Sequence, residues 1–253
     1  MLGRPLVERR KQVLRLTPHV PPGEPHPVWW KAGLEAALPL VVVVGGPRGG
    51  LPSLLTRLAG RGYAVVASEL PGVAPGTRPY AADSWRLLPE LIDRYATSAP
   101  RSGVHVVGFG LGGHLALRAA AAEQRIGTVH TVGAPVSGLF TDLTRLLTLP
   151  VGATDVLARA TGASGRDMLR RRLAGLAVTP EELRSVAATV RVGVVTDDPL
   201  VPPQDLALLD LLLDRAVFQK LRGSGSGPAA RPLRRWLSAG LPRSRTRAAT
   251  APR

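Results

Sequence analysis

Residues 108–114 read Gly108-Phe109-Gly110-Leu111-Gly112-Gly113-His114, a spacing that two chemistries share. The apolar residues 104–107 precede this stretch and a helical pattern follows it. Strand, tight glycine turn and helix are therefore expected in that order. Read as G-x-G-x-x-G, the turn would hold a dinucleotide pyrophosphate on backbone N–H groups at a helix N-terminus. Read as a nucleophile elbow, its small flanking residues allow a sharp strand-to-helix turn. That turn lifts residue 110 to where a serine would attack a carbonyl. Residue 110 is glycine, so the second reading has the turn without a nucleophile.

The dinucleotide reading needs an acidic residue at the end of the next strand to bind ribose hydroxyls. That strand ends Thr131-Val132-Gly133-Ala134-Pro135, with no acid. The glycine run also comes after two strand–helix units, whereas the fingerprint usually opens its domain. The elbow reading instead finds an acid after a later strand, Asp198 in TDDPLVPP.

These residues must be positioned by an alternation of strands and helices. The run LVVVVGG predicts a strand buried on both faces, followed by the loop GGPRGG and a helix over 51–58. Further strands are expected at 62–67, 104–107, 129–132, 190–195 and 216–221, with helices over 82–95, 112–124, 204–214 and 231–237. The fold class is α/β, a doubly wound and mostly parallel sheet. In such sheets functional groups gather beyond the carboxyl ends of the strands. Residues 138–188 interrupt the alternation with short helical patterns and are expected to form a helical lid; a covering insertion away from any site is the alternative. The chain divides into an N-terminal arm (1–36), a first core part (37–137), the lid (138–188), a second core part (189–238) and a basic disordered tail (239–253). Trp29-Trp30 is expected to dock the arm on the domain.

From residue 38 to 237 the chain resembles the α/β-hydrolase superfamily. The resemblance is carried by VVVVGGPRGG, ASELPGVAPG, GFGLGGHLAL, GAPVSGLF and DDPLVPP. The stretch GAPVSGLF and the helical block after it look like the FrsA-type, or pseudooxynicotine-hydrolase-type, branch. The resemblance implies an α/β-hydrolase fold with a nucleophile at Gly110, a triad acid at Asp198 and a histidine in the loop 223–228. Gly110 has no side chain, the loop reads GSGSGP, and the last histidine of the chain is His130. Two of three triad members are missing, so conventional Ser-His-Asp hydrolysis is not expected.

What remains is a cleft. The Leu111 N–H, with a loop N–H near Gly46, would bind an anion or a polarised carbonyl. Arg48 lies in the oxyanion-loop position and either points a cation into the cleft or faces solvent. Glu69, Asp198 and Ser137 complete the candidate lining, and Ser137, Ser224 and Ser226 are the candidates for a displaced nucleophile. His114 is expected to be structural and His105 and His130 to be core histidines. His19 and His26 belong to the arm. No metal site is expected, because no two histidines have ligand spacing and no H-E-x-x-H run is present. No cofactor is expected either, and GGPRGG lacks the lysine and hydroxyl of a P-loop.

The net charge of +15 does not indicate a nucleic-acid partner. Ten of those charges come from residues 215–253, which carry no acid, and aromatic residues are 4% of the chain, leaving little to stack on bases. A solvated basic tail, or one that binds phosphates or anionic lipid, is the expectation. The longest apolar run, near 36–46, is too short to span a bilayer. The N-terminal residues have no apolar leader pattern, and a cytoplasmic protein is expected. With no cysteine in the chain, disulfides and thiolate chemistry are excluded. Three functions stay open: a pseudoenzyme that binds a small ligand, a protein partner or a second copy; an enzyme repurposed for cyclisation, elimination or C–C cleavage through Asp198; and an esterase or thioesterase with a displaced serine.

Overall fold

The computed structural model describes residues 18–19, 28–30, 39–45, 51–61, 63–73, 77–95, 104–142, 144–196, 198–221 and 231–241. The strands are β1 (Pro18–His19), β2 (Val28–Trp30), β3 (Leu40–Val44), β4 (Ala64–Ser68), β5 (Val104–Phe109), β6 (Ile126–Val132), β7 (Thr189–Val195) and β8 (Ala216–Leu221). They form one sheet in the order β1-β2-β4-β3-β5-β6-β7-β8. The six strands from β4 to β8 pair in parallel. β2 joins their edge antiparallel, with Trp29 opposite Ala67.

The central strands are buried on both faces, as their unbroken β-branched runs require. Along β3 the side chains alternate. Val42 and Val44 enter a core under one helical layer, and Val41 and Val43 enter a second core on the opposite face. The second core is closed by α1 (Leu51–Ala59) and by the last helix, α10 (Arg231–Gly240), through Leu54, Leu58, Leu233, Trp236 and Leu237.

The first core is covered by α2 (Leu87–Tyr95), α3 (Leu111–Ala122) and α9 (Pro203–Leu212). A helix was expected from residue 82. The structure instead enters through a 3-10 turn at Ser84–Arg86, and Pro89 then sits in the first turn of α2, where its missing N–H leaves no bond unmade.

Between β6 and β7 stand α4 (Gly138–Thr141), α5 (Arg145–Thr148), α6 (Val151–Thr161), α7 (Arg166–Ala174) and α8 (Pro180–Arg184). The block is tied to the core at several points. The Val178 N–H donates to the Val136 carbonyl at 2.9 Å, and the Tyr80 N–H donates to the Ala160 carbonyl at 2.7 Å. Arg118 of α3 reaches Glu182 of α8 at 2.9 Å. Glu182 also closes a capping box with Thr179, so one carboxylate both starts α8 and anchors it. Gly72, in the turn after β4, lies so close to α6 that a Cβ there would overlap the Ala160 carbonyl.

The arm was read without strands, yet it contributes β1 and β2 to the sheet edge. Two or three residues carry no periodicity to detect, and their pairing comes from the edge that β4 presents.

Candidate functional site

The site is built from the turn between β5 and α3. Gly110 sits at its apex with φ 54° and ψ −124°, a conformation that glycine enters freely and L-residues rarely adopt. Its N–H donates to the Val132 carbonyl at 2.9 Å, and its own carbonyl accepts from the Gly113 and His114 N–H groups at 2.9 and 3.2 Å. The turn is therefore braced from both sides.

The flanking glycines are required by backbone proximity. A Cβ on Gly108 would lie 2.4 Å from the Gly112 carbonyl oxygen, and one on Gly112 would lie 2.3 Å from that of Val44. The helix N-terminus is thus pressed against the ends of β3 and β5. At Gly110 the reverse holds: among the described residues a Cβ would meet nothing within 4 Å. The strand, turn and helix thus present residue 110 at an apex that carries no side chain.

Leu111 opens α3 with its side chain buried. No described group accepts its N–H, so that donor is left at the positive end of the helix. Asp198 follows β7. Its carboxylate accepts the Leu200 N–H at 3.0 Å through Oδ1. Oδ2 rests against Gly133, which has φ +62°; a Cβ there would lie 2.5 Å from it. Gly133 directly follows Val132, the residue that accepts the Gly110 N–H. The acid and the elbow therefore flank one turn at the carboxyl end of β6. Partial burial raises the Asp198 pKa above the ordinary carboxylate value, and the Leu200 N–H opposes that rise. No basic side chain pairs with Asp198 among the described residues.

Ser137 lies in the next turn, half-buried. Its neighbourhood is organised by Asp205, which went unnoticed in the sequence. Asp205 is 1% exposed. It accepts the N–H groups of Val136 at 2.7 Å, Ser137 at 3.1 Å and Gly138 at 2.7 Å. The available signal was an acid in the first turn of a helix that begins at a proline, and that signal does not name a partner. Glu69 follows β4, half-buried, and its carbonyl accepts the Ser68 hydroxyl at 3.1 Å. Gly46, Arg48, Ser224 and Ser226 lie outside the described residues.

The histidines with described side chains take structural places. His114 Nε2 faces the Leu176 carbonyl at 2.6 Å and must donate to it, so Nδ1 accepts the Tyr80 hydroxyl at 2.5 Å. Full burial pushes its pKa down to about 3. Tyr80, also missed in the sequence, is buried with its hydroxyl 3.3 Å from the Leu111 carbonyl. His105 and His130 lie buried on β5 and β6, on the face covered by α1 and α10. No imidazole stands beside Ser137 or Asp198 among the residues whose side chains are described. No group of three or more residues of metal-ligand type is present among the described residues. No described helix is long and apolar enough to cross a membrane.

No protein-family model matches the chain, and no curated protein matches its sequence. Solved structures do match. A structure named AbyA5 is 28% identical, with 93% of this chain and 73% of that one covered at a TM-score of 0.79. A 2,6-dihydroxy-pseudo-oxynicotine hydrolase is 19% identical, with 85% of this chain and 65% of that one covered at 0.67. A thioesterase domain from the curacin biosynthetic pathway is 18% identical, with 85% of this chain and 94% of that one covered at 0.56. These likenesses, with the parallel sheet from β4 to β8, give the fold: the chain has the α/β-hydrolase fold.

Proposed function

We propose that this protein is a non-hydrolytic member of the α/β-hydrolase fold whose cleft binds a small molecule bearing a carbonyl or carboxyl group. The carrying observation is the apex at Gly110: a braced turn, open among the described residues, with a Leu111 N–H that no described group accepts and no side chain to attack. A hydrogen-bond donor fixed at a helix N-terminus polarises or holds an oxygen whether or not a nucleophile follows. The lack of a triad histidine supports the same reading, because a displaced Ser137 has no described base to activate it. The ligand is a cytoplasmic metabolite rather than a nucleic acid. A protein partner or a second copy of the chain on the same cleft is the competing occupant. On this reading the helical block 138–188 is the lid over the cleft, and its insertion between β6 and β7 supports an affinity with the FrsA-type branch.

The test is a fluorophosphonate probe read by intact mass, with an active serine hydrolase as control. No adduct and no turnover of p-nitrophenyl acetate above background is the expected result. A stoichiometric adduct would refute the reading and direct peptide mapping to Ser137.

Asp198 favours a second reading, an enzyme without a covalent intermediate. One carboxylate oxygen has no hydrogen-bond donor on it among the described residues, and partial burial raises the pKa toward the range where a carboxyl both gives and takes protons. Such a group could drive a cyclisation, an elimination or a C–C cleavage. In that case Asp198→Ala removes the activity and Gly110→Ala leaves most of it.

A further inference from the structure

The last helix seats on a polar seam within an otherwise apolar face. His130 on β6 is fully buried, and neither ring nitrogen has a hydrogen-bond partner. The Trp236 ring of α10 meets it edge-on at 5.4 Å. Arg191, paired with His130 across β6 and β7, lays its guanidinium 5.8 Å from the centre of the same indole. Gly240 closes the seat: a Cβ there would lie 2.4 Å from His130 Nε2 and 2.5 Å from Arg191 Nε. Tryptophan, histidine, arginine and glycine thus interlock where the helix meets the sheet.

Among the described side chains, the charged or titratable groups facing this seat are basic or neutral. β5 brings His105, whose Nδ1 is also unpartnered and whose ring is edge-on to Tyr63 at 5.7 Å. β7 brings Arg191. The end of α1 brings Arg61, which donates to the Leu241 carbonyl at 3.2 Å. Arg235 of α10 points to solvent. No carboxylate bonds to either histidine among the described residues. The seat therefore accepts a neutral imidazole and, among the described residues, has no carboxylate to neutralise a charged one.

We propose that this seam is an acid-sensitive latch: a proton taken up on His130 sets a cation against Arg191, and α10 lifts while the rest of the sheet stays folded. α10 is the last described element and takes no part in the sheet, so it can leave without breaking a strand pairing. Burial, with Arg191 and His105 adding, holds His130 at about 3, well below its ordinary 6.5. In the lifted state the imidazole meets water and regains its ordinary affinity. Between pH 7 and 4.5 the opening equilibrium of α10 then rises roughly 100-fold.

Hydrogen exchange of the full chain at pH 7 and 4.5, corrected for intrinsic rates, tests this. Peptides covering 231–241 should lose about two decades of protection at pH 4.5 through the opening of α10 alone, and at both pH values should stay less protected than β5 and α3, which exchange only with the whole fold. His130→Leu should hold the protection of 231–241 nearly equal at the two pH values. Arg191→Gln lowers that protection at both pH values but shrinks the ratio between them, and it serves if His130→Leu does not fold. Protection of 231–241 equal to that of the central strands at both pH values would overturn the proposal, since α10 would then open only with the whole fold. An unchanged ratio in both variants would overturn it as well.

Discussion

Asp198 and Gly133 are in direct contact: the carboxylate Oδ2 occupies the space where a side chain at residue 133 would begin, 2.5 Å from the position of its Cβ. Gly133→Ala should therefore both strain the backbone at φ +62° and push the carboxylate away from the elbow. A loss of about 1–3 kcal/mol is expected in chemical denaturation. Asp198→Ala in the Gly133→Ala background should recover the part of that loss due to the clash, and the double-mutant cycle reads it.

Gly110→Ser should restore the shape of an elbow without restoring hydrolysis. The new Cβ meets no described atom within 4 Å, and no described histidine stands by to take the hydroxyl proton. Turnover of p-nitrophenyl acetate should stay within about tenfold of background, because a nucleophile without its base keeps little of the triad's effect. The cost in stability is about 1–2 kcal/mol, since an L-residue replaces glycine at φ 54°.

Asp205→Ala should be among the most damaging polar substitutions in the chain. It strips three backbone N–H groups of their acceptor in the turn where the helical block leaves the sheet. A loss of about 3 kcal/mol is expected by urea denaturation, as buried donors to a charged acceptor are left without partners. Asp205→Asn should fall between wild type and Asp205→Ala, because its amide nitrogen cannot accept.

Acid should weaken the fold through His114. Its folded pKa of about 3 lies below the ordinary 6.5, so the unfolded chain binds the proton more readily. The stability it contributes is full above 6.5 and falls as pH drops from there toward 3, by roughly 2–3 kcal/mol between pH 7.5 and 4.5. Asp198, whose folded pKa is raised, works in the opposite sense over the carboxylate range and offsets a part of the loss. Tyr80→Phe should add a further cost of about 1–2 kcal/mol at neutral pH by leaving His114 Nδ1 without its donor. Urea titrations at the two pH values check both statements.

The sequence by itself determined the layered α/β architecture, because that information is local. Unbroken runs such as Leu40–Val44 cannot face water on either side, and apolar residues at helical spacing, such as Leu88, Leu91 and Ile92, mark the faces that cover them. Spacing alone also placed a glycine turn between a strand and a helix and an acid after β7. The tertiary structure decided what those residues touch. That Asp198 rests on Gly133, that Asp205 gathers three N–H groups, and that Tyr80 serves His114 are contacts across 65, 69 and 34 residues, and only the folded sheet brings such distant positions within hydrogen-bond reach. Gly110 shows the division most plainly. Its identity is in the sequence, but the positive φ and the open space beside it arise only when Gly108 and Gly112 let α3 close on β3 and β5.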